Sequence, residues 1–142
     1  MSDNKVIHVN PKEAWDLIQK EPDVIFVDVR SDMEYLFIGH PKGAVNIPWI
    51  EEPEWIINPH FVRDVRKLTL GGVIDSPEHH AVPIILICRS GKRSEEAGHL
   101  LIENGFHRVY NVEHGFEGEL DESHHRSTLG GWRFDNLPWE QC

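Results

Sequence analysis

Cys88 follows the apolar run Pro83-Ile84-Ile85-Leu86-Ile87 and opens the loop Arg89-Ser90-Gly91-Lys92-Arg93-Ser94. Three cations, one glycine and two serines therefore stand within six residues of the thiol, and a helix-like segment follows. That layout puts a sulfur at the focus of backbone N–H groups, where a helix N-terminus adds positive potential. Thiolate is the reactive form, and a cysteine of ordinary pKa is only about 3% thiolate at pH 7. A fall of about two units, roughly 2.7 kcal/mol of differential interaction, makes such a group mostly anionic. The competing reading is an inert thiol at the end of a core strand, because free cysteine is among the most buried residue types. A small, polar and basic loop does little to bury a thiol but does favour its ionisation. The pattern points to an anionic sulfur nucleophile that receives an anionic substrate.

Each loop residue has an expected duty. A guanidinium fork suits the oxygens of an anionic substrate, and the sequence leaves open which of Arg89, Lys92 and Arg93 supplies the contact. Gly91 is expected to take a φ that other residues resist, which lets the loop curl inward. Ser90 and Ser94 are candidates for capping the helix or bonding the sulfur, with capping favoured for Ser94.

Alternating elements position this loop. Strands are expected at 6–9, 24–29, 44–47, 83–87 and 108–112, from short β-branched runs bounded by turn residues. Asn10-Pro11 with Glu13 carries helix-start signals, and Ala14, Trp15, Leu17 and Ile18 fit one helical face. Ser31 with Glu34 reads as a capping box for a short helix. Asn58-Pro59 opens a helix with Phe61, Val62, Val65 and Leu68 on its apolar face. After the loop, Ala97, Leu100 and Leu101 mark a helix that stops at Asn104-Gly105. Such alternation predicts an α/β fold with a parallel sheet covered on both faces, and ligands at the carboxyl ends of its strands. Residues 49–58 and 71–82 read as loops, and the tail from Phe116 as short helical turns packed back by its tryptophans. No repeat or linker divides the chain, so residues 1–142 are expected to form one domain. Its core would span about 5–116, with 117–142 packed on it.

The loop resembles the active-site loop of the rhodanese superfamily of thiosulfate and persulfide sulfurtransferases. Two flanking segments are also similar to that family: Val27-Asp28-Val29-Arg30 with Glu34-Tyr35 and 39–48 upstream, and Gly105-Phe106 with 109–112 and Gly115 downstream. The resemblance spans roughly residues 24–116. It implies a rhodanese-like, five-stranded, mostly parallel sheet in the order 1-5-4-2-3 with helices on both faces. It implies that Cys88 takes the outer sulfur of thiosulfate or a related persulfide donor and keeps it as a persulfide. A thiophilic acceptor (cyanide, a thiol or a protein persulfide acceptor) then removes that sulfur, with no further cofactor. The backbone amides of residues 89–94 would hold the anionic sulfur. Asp28, Arg30 and Glu34 are expected to serve as an ion-pair support near the mouth, and His40 in Gly39-His40-Pro41 as architecture.

Two alternatives accompany that reading. One is a carrier module that hands its persulfide to a specific protein with little turnover. The other is a cysteine-dependent phosphatase or arsenate reductase, which presents a loop one residue longer than the four residues between Cys88 and Arg93. The chain departs from the family at Glu113-His114-Gly115, where His114 stands at a common glycine position. The tail resembles those of single-domain bacterial sulfurtransferases. The 51–82 connection and the tail are expected to supply any apolar wall of the pocket.

Composition bounds the partners. At 142 residues the chain is long enough to bury about two-thirds of the surface it exposes unfolded. A net charge of -10 argues against nucleic acid and makes the basic loop a local reversal of potential. There is no apolar run of membrane-spanning length and no leader-like core, which reads as a cytoplasmic chain. Two cysteines, Cys88 and Cys142, make no disulfide framework; Cys142 reads as a frayed terminus rather than a resolving thiol. The adjacent pairs His79-His80 and His124-His125 diverge along the chain, so no metal site is expected.

Overall fold

The computed structural model describes residues 5–51, 54–70 and 82–141. The expected loop at 71–82 falls almost wholly outside them, as do His79, His80 and Cys142. Five strands form the main sheet: β1 (Ile7–Val9), β2 (Ile25–Asp28), β4 (Val45–Asn46), β7 (Ile84–Ile87) and β8 (Val109–Val112). Their order is β1-β8-β7-β2-β4, and every neighbouring pair is parallel. In main-sheet numbering this is the expected 1-5-4-2-3 arrangement.

The central strand explains its own sequence. All four residues of β7 are buried, as a strand covered on both faces requires. Ile84, Leu86 and Cys88 enter one core cluster, with Phe61 and Val65 of α2 (Phe61–Leu70) and Ala97 and Leu101 of α3 (Lys92–Glu103). Ile85 and Ile87 enter the other, with Ala14 of α1 (Pro11–Lys20), Phe116 and Trp132. This is the two-residue alternation of a strand, and it assigns Cys88 to the α3 side. At the start of α1, Asn10 and Glu13 form the reciprocal capping box. At the other end of α3, Asn104 is the C-cap and Gly105 takes φ 97°.

Three elements differ from the sequence expectation. The segment after Ser31 has the expected cap, but its turn over Glu34–Ile38 is π-helical. Residues 49–58 are not simply loop: β5 (Ile50–Glu51) and β6 (Ile56–Ile57) pair as an antiparallel hairpin. The tail forms turns without a helix, and β9 (Trp139–Glu140) pairs antiparallel with β3 (His40–Pro41). These short ladders arise from contacts between strands too brief to carry a periodic signal. The tryptophan expectation holds for Trp132, which is fully buried and donates its indole N–H to the Pro138 carbonyl at 2.8 Å. Among the described residues no helix is long and apolar enough to cross a membrane.

Candidate active site

Cys88 leaves β7 at the carboxyl edge of the sheet and is only 1% exposed. Gly91, with φ 109°, is the N-cap of α3 and aims its amide at the sulfur, N to Sγ 3.1 Å. A side chain at Gly91 would find ordinary contact distances, so backbone angle rather than space calls for glycine there. Ser94 lies inside the first turn of α3 with its hydroxyl 3.2 Å from the sulfur. It does not cap the helix, as the sequence suggested: the same hydroxyl donates to the Asn111 side-chain oxygen. Asn111 is held by donating its amide to the Gly91 carbonyl, and lies 3.2 Å from His8 Nδ1. The one hydroxyl proton thus has two acceptors in reach, the sulfur and the Asn111 oxygen. Among the described residues the Gly91 amide is the loop amide bonded to sulfur, a narrower basket than the whole 89–94 backbone expected.

The loop is braced from behind by the segment after β8. The Cys88 carbonyl accepts from the Phe116 amide at 2.8 Å, and the Arg89 carbonyl from Glu117 and Gly118 at 3.0 and 3.2 Å. His114 takes φ 68° and packs its exposed imidazole against Gly130.

The cations divide their roles. Arg93 makes a two-pronged pair with Glu34, Nη1 to Oε1 2.8 Å and Nη2 to Oε2 2.9 Å. Burial opposes ionisation of Glu34, but the hydrogen bonds and charge of Arg93, the Ser31 amide and the charge of Arg30 outweigh it. They hold the Glu34 carboxyl at about 2, against an ordinary 4.5. Burial likewise lowers the Arg93 pKa, and Glu34 more than reverses it, so Arg93 is raised. Arg89 is exposed and has no carboxylate partner among the described residues. Lys92 is exposed at the start of α3, and Ser90 is half-buried.

A pH prediction follows from Glu34. The folded protein keeps this group ionised down to about 2, the unfolded chain only to about 4.5. Its contribution, on the order of 3 kcal/mol, is therefore complete above about 4.5 and lost as pH falls toward 2. Chemical unfolding between pH 5 and 2.5 should show that slope, and Glu34→Gln should flatten it; parallel curves for the two proteins would refute the assignment.

Asp28 and Arg30 are both fully buried. The guanidinium spans the carboxylate, Nε to Oδ1 3.0 Å and Nη2 to Oδ2 2.7 Å, donates to the Gly39 carbonyl, and lies 4.6 Å from the Phe116 ring centroid. They pair with each other rather than with Glu34, which has turned to Arg93. His40 stacks on Tyr35, with ring centroids 3.8 Å apart, and its Nδ1 bonds the Tyr35 carbonyl. His124 and His125 shape a tail turn whose amides bond Asp121. Among the described residues no three His, Cys, Asp or Glu side chains converge.

Beside the loop opens a cleft of about 420 Å³ lined by Glu34, Ile38, Ile50, Trp55, Arg89 and Arg93. Trp55, from the 51–82 connection, lines this cleft beside Ile38 and Ile50; among the described residues no residue of the tail does, contrary to the expectation. Sequence reasoning missed Asn111, Ile38 and Ile50. Asn111 carried a usable signal, a polar residue within the otherwise apolar or aromatic strand Val109–Val112.

A parallel α/β sheet with a cysteine loop running into a helix defines a class, and the sequence pattern of the rhodanese-like domain matches residues 10–121. The chain belongs to that family. It is similar to Rv0390 from M. tuberculosis, whose crystal structure superposes with a TM-score of 0.81 at 32% identity over 98% of this chain and 100% of that one. Thiosulfate sulfurtransferase GlpE of Glaesserella parasuis is 30% identical over 78% of this chain and 82% of its own length. Uncharacterized protein RC0915 of Rickettsia conorii is 28% identical over 90% and 92% respectively.

Proposed function

We propose that this protein is a sulfurtransferase that moves sulfane sulfur from thiosulfate or a related donor to a thiophilic acceptor through a persulfide on Cys88. The observation that carries the reading is the Gly91 amide aimed at the sulfur from the N-terminus of α3, with the Ser94 hydroxyl beside it. Family membership and the likeness to a protein named thiosulfate sulfurtransferase support it.

In the first step the Cys88 thiolate attacks the outer sulfur of S–SO3²⁻. The S–S bond of the donor breaks, sulfite leaves with the bonding pair, and Cys88–S–S⁻ remains. In the second, cyanide attacks the outer sulfur; thiocyanate departs and the thiolate returns. A thiol acceptor gives the corresponding persulfide instead. Two displacements through a covalent intermediate give ping-pong kinetics. The hydrogen bond from Gly91 acts on Sγ, the charged atom of the thiolate, and a preorganised donor of this kind is typically worth about 2.7–4 kcal/mol.

Intact mass after thiosulfate treatment and desalting tests the reading. The wild-type chain should gain one sulfur atom and Cys88→Ser none. A wild type that stays unmodified, or equal uptake by the variant, would sink it.

A further inference from the structure

Asn111 is the polar residue of a strand that is otherwise apolar or aromatic, and it is only 3% exposed. An amide so placed costs free energy unless its atoms are bonded, and here both ends have partners. Nδ2 donates to the Gly91 carbonyl at 3.2 Å and lies 3.2 Å from Nδ1 of His8, which stands opposite Asn111 in the β1–β8 register. Oδ1 accepts from the Ser94 hydroxyl. The amide cannot turn over, because that would set Oδ1 against the Gly91 carbonyl oxygen, and neither atom can donate. Its acceptor end is therefore locked on Ser94. Ser94 is fully buried, and the oxygen that holds its one hydroxyl proton is also 3.2 Å from Cys88 Sγ.

The balance between these two acceptors changes as the sulfur is loaded. In the thiolate the negative charge sits on Sγ, an acceptor strong enough to draw the proton. Asn111 Oδ1 is then left buried without a donor, at a cost. In the persulfide the charge lies on the outer sulfur, one S–S bond of about 2 Å away. Sγ has become a neutral divalent sulfur, a weak acceptor, and the hydroxyl turns to Asn111. We propose that Asn111 is a positioning residue for sulfur loading: its amide oxygen takes up the Ser94 hydroxyl as charge leaves Sγ, and this draws the equilibrium toward the Cys88 persulfide. The proposal rests on the sulfurtransferase reading and adds a residue to it. The step balances: the thiolate attacks the outer sulfur of thiosulfate, the donor's S–S bond breaks, and sulfite leaves with the electron pair. Ser94 keeps its proton throughout and only rotates, so Asn111 acts on the sulfur through Ser94.

The test equilibrates the chain with fixed concentrations of thiosulfate and sulfite and reads the ratio of persulfide to thiol by intact mass. Asn111→Leu should lower that ratio about tenfold, the size of one net hydrogen bond in a buried site. Asn111→Asp, which keeps an oxygen opposite the hydroxyl, should hold the ratio at or above the wild-type value. In a Ser94→Ala background the leucine substitution should shift it by about twofold or less, since the hydroxyl that couples Asn111 to the sulfur is gone. A wild-type readout needs no variant to fold: the side-chain carbonyl carbon of Asn111 should move downfield in the NMR spectrum on loading, as its hydrogen bond strengthens. An unchanged ratio in Asn111→Leu, an equal fall in the Ser94→Ala background, an equal fall in Asn111→Asp, or a carbonyl resonance that ignores loading would each overturn the proposal while sulfur transfer still stands. A wild-type chain that gains no sulfur would overturn it together with the reading beneath it.

Discussion

Gly115→Ala is expected to slow sulfur loading about 100-fold and to lower stability on the order of 3–5 kcal/mol. Gly115 has φ 59°, and a methyl group there would press on the Cys88 carbonyl oxygen and lie 2.6 Å from the Arg89 carbonyl carbon. Those are backbone atoms, so no side chain can swing aside. The strain falls on the loop that carries the thiol, because the neighbouring Phe116 amide is bonded to the same Cys88 carbonyl. Either the loop moves, taking the Gly91 amide out of line with the sulfur, or the segment after β8 detaches. Denaturant midpoints and the rate of mass gain with thiosulfate measure the two effects separately. An alanine variant that is as stable as wild type and loads at its rate would show that this brace does not hold the loop.

The second large effect belongs to the buried ion pair. Asp28→Asn keeps the shape of the side chain but leaves the fully buried Arg30 guanidinium without its counter-charge. Loss of one member of such a pair costs about 3–5 kcal/mol, because the remaining charge must stay in the interior unpaired. Arg30 has little to fall back on: Nη1 has no hydrogen-bond partner among the described residues, and the guanidinium carbon lies over the Phe116 ring. Urea unfolding should show a lower midpoint at unchanged slope. A shift worth less than about 1 kcal/mol would mean that Gly39 and Phe116 hold the guanidinium without help.

These two residues also mark how far the sequence could be read. Asp28 and Arg30 were legible as charges at a strand end, but with Glu34 as their expected company, whereas they pair with each other. The cap at Asn10 and Glu13, the five main strands and the cysteine loop were legible because their signals are local or periodic. The partner of Arg93 was not, since Glu34 lies on a different element and no spacing rule joins them. The same holds for His40 opposite Glu140, which the fold brings together from distant stretches, and for the hairpin of two-residue strands. Ser94 shows a subtler failure. Its position near a helix start favoured capping, but Gly91 begins α3 three residues earlier, and that offset turns the hydroxyl toward the sulfur and Asn111.

The strand order has a consequence for how the molecule is made. β2 must wait for β7 to lie beside it, and β1 for β8, with Ile7 opposite Tyr110 more than half the chain away. Little of the sheet can close on itself while the polypeptide is being synthesised, and such distant pairings form slowly. At ordinary elongation rates a ribosome would carry an apolar, half-built ribbon for on the order of 5–20 s before the last partner strand emerges.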